Sequence, residues 1–290
     1  MGNPLAKHTL DRRRFLGLAA ALAAETIAAN RFAAAYPLGL PLGVQLYSVR
    51  TMLPKDYLGT LKQIAALGYT EVEAAGFYDH PVEEVKSAMQ TAGLRCVSSH
   101  YPLGQLKPNL DSILDFAKTL GIGYIVCSSP MHQQPGTKGE LSLDDWRWNA
   151  DQFNQIAAKV KAAGMSFAYH NHVAEFTPID GTLPWEELVK RTDPKLVSFE
   201  MDCGWVEVAG ADPVVYLKKY PTRVVMLHVK DFKDKKPPSV PLGEGSIDYA
   251  PIFKAAKHAR IQHIFVEQEE SPTTMMESLA IDAKYMQKFK

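Results

Sequence analysis

Residues 144–172 read DDWRWNADQFNQIAAKVKAAGMSFAYHNH, and the fold is decided by how this stretch is parsed. Asp144–Ala163 carries a helical pattern that stops at Gly164, the residue that accepts a left-handed conformation without a Cβ clash. Ser166–Asn171 is short, aromatic and β-rich, which predicts a strand. Period-two alternation then puts His170 and His172 on one face at the strand's end.

The same helix, glycine and strand sequence recurs in both directions. Strands are predicted at 42–47, 69–74, 95–100, 124–127, 166–171, 196–201, 224–229 and 263–267. Helices are predicted between them at 57–66, 82–92, 110–120, 144–163, 185–190, 213–219 and 249–258, several closing at Gly68, Gly93, Gly121 and Gly164. Alternating β and α units imply a parallel sheet. No GxGxxG follows the first strand, so a closed single (β/α)₈ TIM barrel fits better than an open doubly wound sheet. The span from Tyr36 to Lys290 is close to the ~250 residues typical of such a barrel.

Residues 1–35 read differently. Arg12-Arg13-Arg14 precedes Phe15-Leu16 and an Ala/Leu/Gly run that Glu25 interrupts, too short for a membrane span. Ala33-Ala34-Ala35 then offers a cleavage site before Tyr36. The order resembles a twin-arginine export signal, with Asp11 where Ser or Thr is usual. It implies a periplasmic domain spanning 36–290 with no membrane span once the signal is removed.

The 290 residues are 46% hydrophobic, enough for a large core, and 32 basic side chains balance 32 acidic ones. Zero formal charge argues against a nucleic-acid partner. Cys96, Cys127 and Cys203 are too far apart for a CxxC motif and read as small buried hydrophobes.

In a parallel barrel, chemistry gathers at the C-terminal ends of the strands. Strand one brings Gln45 and Tyr47 to the mouth, strand two Glu73 and strand three His100. Strand five brings His170 and His172, strand six Glu200-Met201-Asp202, strand seven His228 and Lys230, and strand eight Glu267. Two imidazoles and two carboxylates from four consecutive strands suit a divalent cation. Trp205, just beyond Asp202, offers a face on which a sugar could stack, or a core side chain. The Lys233–Lys236 run with Pro237-Pro238 reads as a solvated loop over the mouth.

Four strings carry a resemblance: Gly43–Arg50 (GVQLYSVR), Tyr169–His172 (YHNH), Leu227–Asp231 (LHVKD) and Gly243–Asp248 (GEGSID). In this order they resemble the sugar phosphate isomerase/epimerase family, the xylose isomerase-like or AP endonuclease family 2 barrels. The resemblance implies one divalent metal bound by Glu, Asp, His and Glu from strands five to eight. By position these fall on His170, Asp202, His228 and Glu267, so His170 stands where the family has Glu. Two imidazoles suit Mn, Zn, Co or Fe better than Mg.

The change at position 170 also removes one of the two carboxylates that flank the substrate in family epimerases. Glu267 then stands as the candidate base, with His100 and Lys230 as further proton-moving groups. Gln45, Tyr47, Glu73, His172 and Trp205 are the candidate substrate contacts. The leading expectation is an isomerase or epimerase of an unphosphorylated sugar, keto sugar or cyclitol. The alternative is a lyase or dehydratase acting by β-elimination on a 3-keto sugar or inosose. A phosphodiesterase and a non-catalytic sugar- or partner-binding barrel are further readings, and the resemblance implies pairing as a homodimer.

Overall fold

The structure, a computed structural model, describes residues 36–289. The expected signal segment and its cleavage site at 35/36 lie outside the described residues, apart from Tyr36. Among the described residues, no helix is long and apolar enough to cross a membrane.

The eight barrel strands are β1 (Gly43–Gln45), β2 (Glu71–Ala74), β3 (Arg95–Pro102), β4 (Tyr124–Ser129), β5 (Ser166–His170), β6 (Val197–Asp202), β7 (Val224–Val229) and β10 (His263–Val266). They close in the order β1-β10-β7-β6-β5-β4-β3-β2, and every pairing is parallel. The single (β/α)₈ barrel expected from the sequence is the fold observed.

Helices α1 (Tyr57–Ala66), α2 (Val82–Ala92), α3 (Leu103–Leu120), α4 (Leu143–Ala162), α5 (Pro184–Arg191), α6 (Cys203–Val208), α7 (Pro213–Lys219), α8 (Tyr249–Ala256) and α9 (Met275–Met286) alternate with them. In α4, Trp146, Ala150, Phe153, Ala157 and Val160 are buried, the three-and-four spacing that a helix turns into one stripe. Helix α3 starts earlier than expected, at Leu103. Pro108 lies within it and Asn109 leaves helical geometry at φ −120°, so the regular stretch begins where the sequence pattern placed it.

The run at 233–236 is not a plain loop. Strands β8 (Asp231–Lys233) and β9 (Lys236–Val240) form an antiparallel hairpin, because Asp234 and Lys235 both take positive φ (51° and 55°) and make the tight turn between them. The GEGSID loop folds back onto this hairpin. One Asp231 carboxylate accepts from the backbone N–H of Gly243 (2.9 Å), Gly245 (3.1 Å), Ile247 (3.1 Å) and Phe232 (2.9 Å). A Cβ on Gly245 would lie 2.1 Å from that carboxylate, so only glycine fits.

The core has two parts. A large cluster fills the space between strands and helices, while Tyr124, Val126, Ala168, Met226 and Phe265 plug the barrel interior. All three cysteines are buried and free. This apolar plug is the floor on which the inward-facing polar side chains stand.

Helix α9 is tied to the GEGSID region through Asp282, which accepts from the Leu242 N–H at 2.6 Å while its second oxygen has no partner. Burial pushes the Asp282 carboxyl up to about 8, against the Leu242 N–H, which favours the charged form; Asp231 and Glu244 add to the rise. An acid raised in the folded state contributes stability that is full below its unfolded value and is lost as pH climbs toward 8. Asp282→Asn has the shape of the protonated acid. It is expected to melt a few degrees above the parent at about pH 8 and level with it near about pH 4. Calorimetric Tm values across that range check this.

Candidate functional site

Alternation along each strand sends one set of side chains into the barrel, and near the C-terminal ends that set is ionisable. The register fixes who meets whom: His170 pairs with Glu200, Asp202 with His228, and Gln45 with Glu73. All six of these residues are buried.

The lower layer is a ring of two carboxylates and two imidazoles. The Glu200 carboxylate reaches His100 Nε2 at 2.6 Å and His228 Nε2 at 3.2 Å. The Glu73 carboxylate reaches the same two nitrogens at 2.8 and 2.7 Å, and also accepts from Gln45 Nε2 (2.8 Å) and the Ser98 hydroxyl. The His100 and His228 rings stack parallel, 5.4 Å apart. Burial disfavours charge on His100, but Glu73 and Glu200 outweigh it and lift its pKa to about 9. The same balance raises His228 and holds Glu200 well below the usual carboxylate range.

Above this ring lie His170, Asp202, His228 and Glu267, whose ligand atoms all fall within 4.8 Å of one another. A second foursome within the same limit, His100, His170, Glu200 and His228, overlaps it from below. Burial, with His228 and His100 nearby, pushes His170 down to about 3, which favours the neutral imidazole that a metal requires; on His228, raised by its carboxylate partners, an ion would have to displace the Nδ1 proton. Asp202 Oδ2 and Glu200 Oε1 are buried without a hydrogen bond. Asp202 Oδ2 has Lys230 Nζ at 3.2 Å, an ion-pair distance only. Unsatisfied carboxylate oxygens beside a neutral imidazole are what a divalent cation would complete. The donor set fits such an ion.

Each expected residue can now be placed. Tyr47, His100, His170, His172, Trp205 and Glu267 line a cavity of about 480 Å³ at the barrel mouth. Asp202 and His228 sit beneath it. Gln45 and Glu73 do not reach it: both belong to the lower ring, where they hold His100 and His228. Lys230 is also set back, its ammonium within 3.2 Å of Asp202, 3.0 Å of Glu267 and 2.5 Å of Glu269, and 4.8 Å over the Trp205 ring. Those carboxylates outweigh burial and raise its pKa, so it stays a fixed cation.

Three residues were given no role by the sequence reading. Glu200 is the hub of the lower ring; it lies two residues before Asp202, and period two alone would have put both on one face. Glu269 lines the cavity two residues past Glu267, where the strand has ended and no periodicity applies. Asn171 bridges β5 and β6, accepting from the Asp202 N–H at 3.1 Å and donating to the Asp202 carbonyl at 3.3 Å. Asp202 also caps α6, accepting from the Trp205 N–H at 2.9 Å.

Residues 61–287 match the model of the xylose isomerase-like TIM barrel family, and the chain belongs to that family. An inosose dehydratase from Clostridium perfringens is 26% identical over 245 residues, covering 73% of this chain and 82% of the relative. A sugar phosphate isomerase/epimerase structure from Parabacteroides distasonis is 27% identical with a TM-score of 0.72, covering 85% of this chain and 97% of that one. A crystal structure of IOLI protein with a binding zinc atom shares the fold at 15% identity and a TM-score of 0.67, covering 85% of this chain and 96% of that one. With these relatives, the chain is an enzyme of isomerase or lyase type.

Glu200 provides the test of the ring. Glu200→Ala leaves His100 and His228 short of a buried counter-charge and is expected to cost about 3–5 kcal/mol of stability. Glu200→Gln keeps hydrogen-bonding capacity and should cost less. Urea unfolding followed by near-ultraviolet circular dichroism measures both; equal, small losses would mean that the ring is not an electrostatic unit.

Proposed function

We propose that this barrel is a metal-dependent lyase that eliminates water or an alcohol from an unphosphorylated keto sugar or inosose. The observation that carries the reading is the asymmetry of the mouth cavity. Glu267 and Glu269 stand on one side at the end of β10, while His100, His170 and His172 come from β3 and β5. Epimerisation draws on two matched groups that exchange a proton across the substrate. Elimination needs one base and one acid, and an imidazole at position 170 leaves the cavity with that inventory.

The residues that would hold the ion are His170, Asp202, His228 and Glu267, and two imidazoles favour Mn, Zn, Co or Fe over Mg. When bound, a divalent cation there would polarise a carbonyl and the hydroxyl beside it. In our reading, Glu267 takes the proton from the carbon next to the carbonyl. His100 has Nε2 committed to Glu73 and Glu200, and no described residue hydrogen-bonds its Nδ1, so that edge can give a proton to the departing oxygen. The C–H and C–O bonds break, a C=C bond conjugated to the carbonyl forms, and water or an alcohol leaves. Lys230 keeps Glu267 ionised and holds the Asp202 carboxylate in place at 3.2 Å. Trp205 and Tyr47 supply flat walls for a sugar ring.

The inosose dehydratase relatives and the zinc in the IOLI structure support this reading. The likeness to the isomerase/epimerase structure favours a second one, proton transfer at the same carbon without loss of the oxygen. An exported location, the reading of residues 1–35, goes with unphosphorylated substrates in either case.

The purified protein is expected to carry about one equivalent of a transition metal by mass spectrometry, and Asp202→Ala to lose it. An inosose or 3-keto-hexose should gain enone absorbance, and Glu267→Gln should slow that by about 10²–10⁴-fold. Epimerised product without enone would favour the second reading. No bound metal and no turnover would leave a binding barrel.

A further inference from the structure

A second cavity of about 530 Å³ opens beside the first, between the β4–α4 segment and the chain that follows β5. Its walls are mostly apolar, with Pro130, Met131, Leu141, Trp146, Val173 and Ile179 among them. Two of the polar groups at its edge are already occupied. His132 binds Asp145 through Nδ1 (3.3 Å) and the Gly139 carbonyl through Nε2 (3.1 Å). Glu175 accepts from the Tyr169 hydroxyl and from the His172 N–H (2.9 Å). Besides Glu140 on the exposed rim and the His172 ring, what remains to meet a ligand is hydrocarbon and aromatic surface.

The two cavities share His172, which lines both, and its ring stands 4.9 Å from His170. A group attached to a sugar ring held against His170 and Glu267 would meet the second cavity at the one side chain that lines both, His172. A free monosaccharide or inosose has nothing to put there, and leaving 530 Å³ of apolar wall to water gives up available binding energy. We infer that the second cavity is a subsite for an apolar, aromatic-sized substituent, so that the substrate class is a glycoside with a hydrophobic aglycone. The inference rests on the reading of the first cavity as the sugar site and narrows it.

Calorimetric titration of the metal-loaded enzyme with phenyl β-D-glucopyranoside and with methyl β-D-glucopyranoside tests this, since neither unoxidised ring presents a carbonyl to react. The phenyl glycoside is expected to bind at least roughly tenfold tighter, with a more negative heat-capacity change as apolar surface is buried. Ala174→Trp, at the exposed edge of the second cavity, should bring the phenyl-to-methyl ratio close to one. Equal affinities in the parent, no measurable binding of either glycoside, or a ratio unmoved by Ala174→Trp would each overturn the subsite. The sugar site is judged separately by His170→Ala: if methyl glucoside binding survives that change intact, the reading of the first cavity falls as well.

Discussion

The ion-pair ring of Glu73, Glu200, His100 and His228 is the constraint around which the upper barrel is organised. Charged side chains inside a closed sheet are tolerated only when their partners are in place. Here every partner comes from a different strand, β2, β3, β6 and β7, so ring and barrel closure depend on each other. The ring also decides what lies above it. With the Nε2 edge of His228 committed downward, its Nδ1 edge faces Glu267 at 3.0 Å, and the candidate ligand set assembles at one height.

The second layer of control is cationic. Lys230 gathers Asp202, Glu267 and Glu269 around one buried ammonium, and its own backbone is fixed by Tyr249, whose hydroxyl accepts from the Lys230 N–H (2.8 Å) and donates to its carbonyl (2.6 Å). Directly after it, Asp231 clamps the GEGSID loop. The LHVKD string thus supplies one candidate ligand, one fixed cation and one loop clamp in four residues, because alternation sends His228 and Lys230 inward while Asp231 turns toward the hairpin. Mutual positioning of this kind lets a site keep a metal geometry while the loops around it vary.

The loops divide the work. Those after β1, β2 and β10 shape the mouth cavity, together with the end of β3 and the start of α3, and polar and ionisable groups face the substrate there. The longer segments after β4 and β5 build an apolar chamber alongside and leave His172 as the wall between them. A core set by strand ends, with specificity set by loops, is the usual economy of a parallel barrel.

The sequence by itself determined the closed parallel barrel, the approximate place of each strand and most helices, and the inward side of each strand end. These follow from local periodicity and glycine caps, which act over a few residues. His170, Asp202, His228 and Glu267 were legible as a group because alternation and position at a strand's end are local properties. Depth was not legible. Gln45 and Glu73 point inward as expected, yet whether an inward side chain reaches the mouth or stops in the ring below depends on the stagger between neighbouring strands. Glu200 lies beneath Asp202 simply because it comes two residues earlier on β6, but that it meets His100 and His228 at that depth is decided by the stagger, and so only by tertiary structure. The same holds for Lys230, whose fixed charge comes from carboxylates on other strands, and for the apolar chamber, whose walls are separated by tens of residues in the chain and meet only when the barrel has closed.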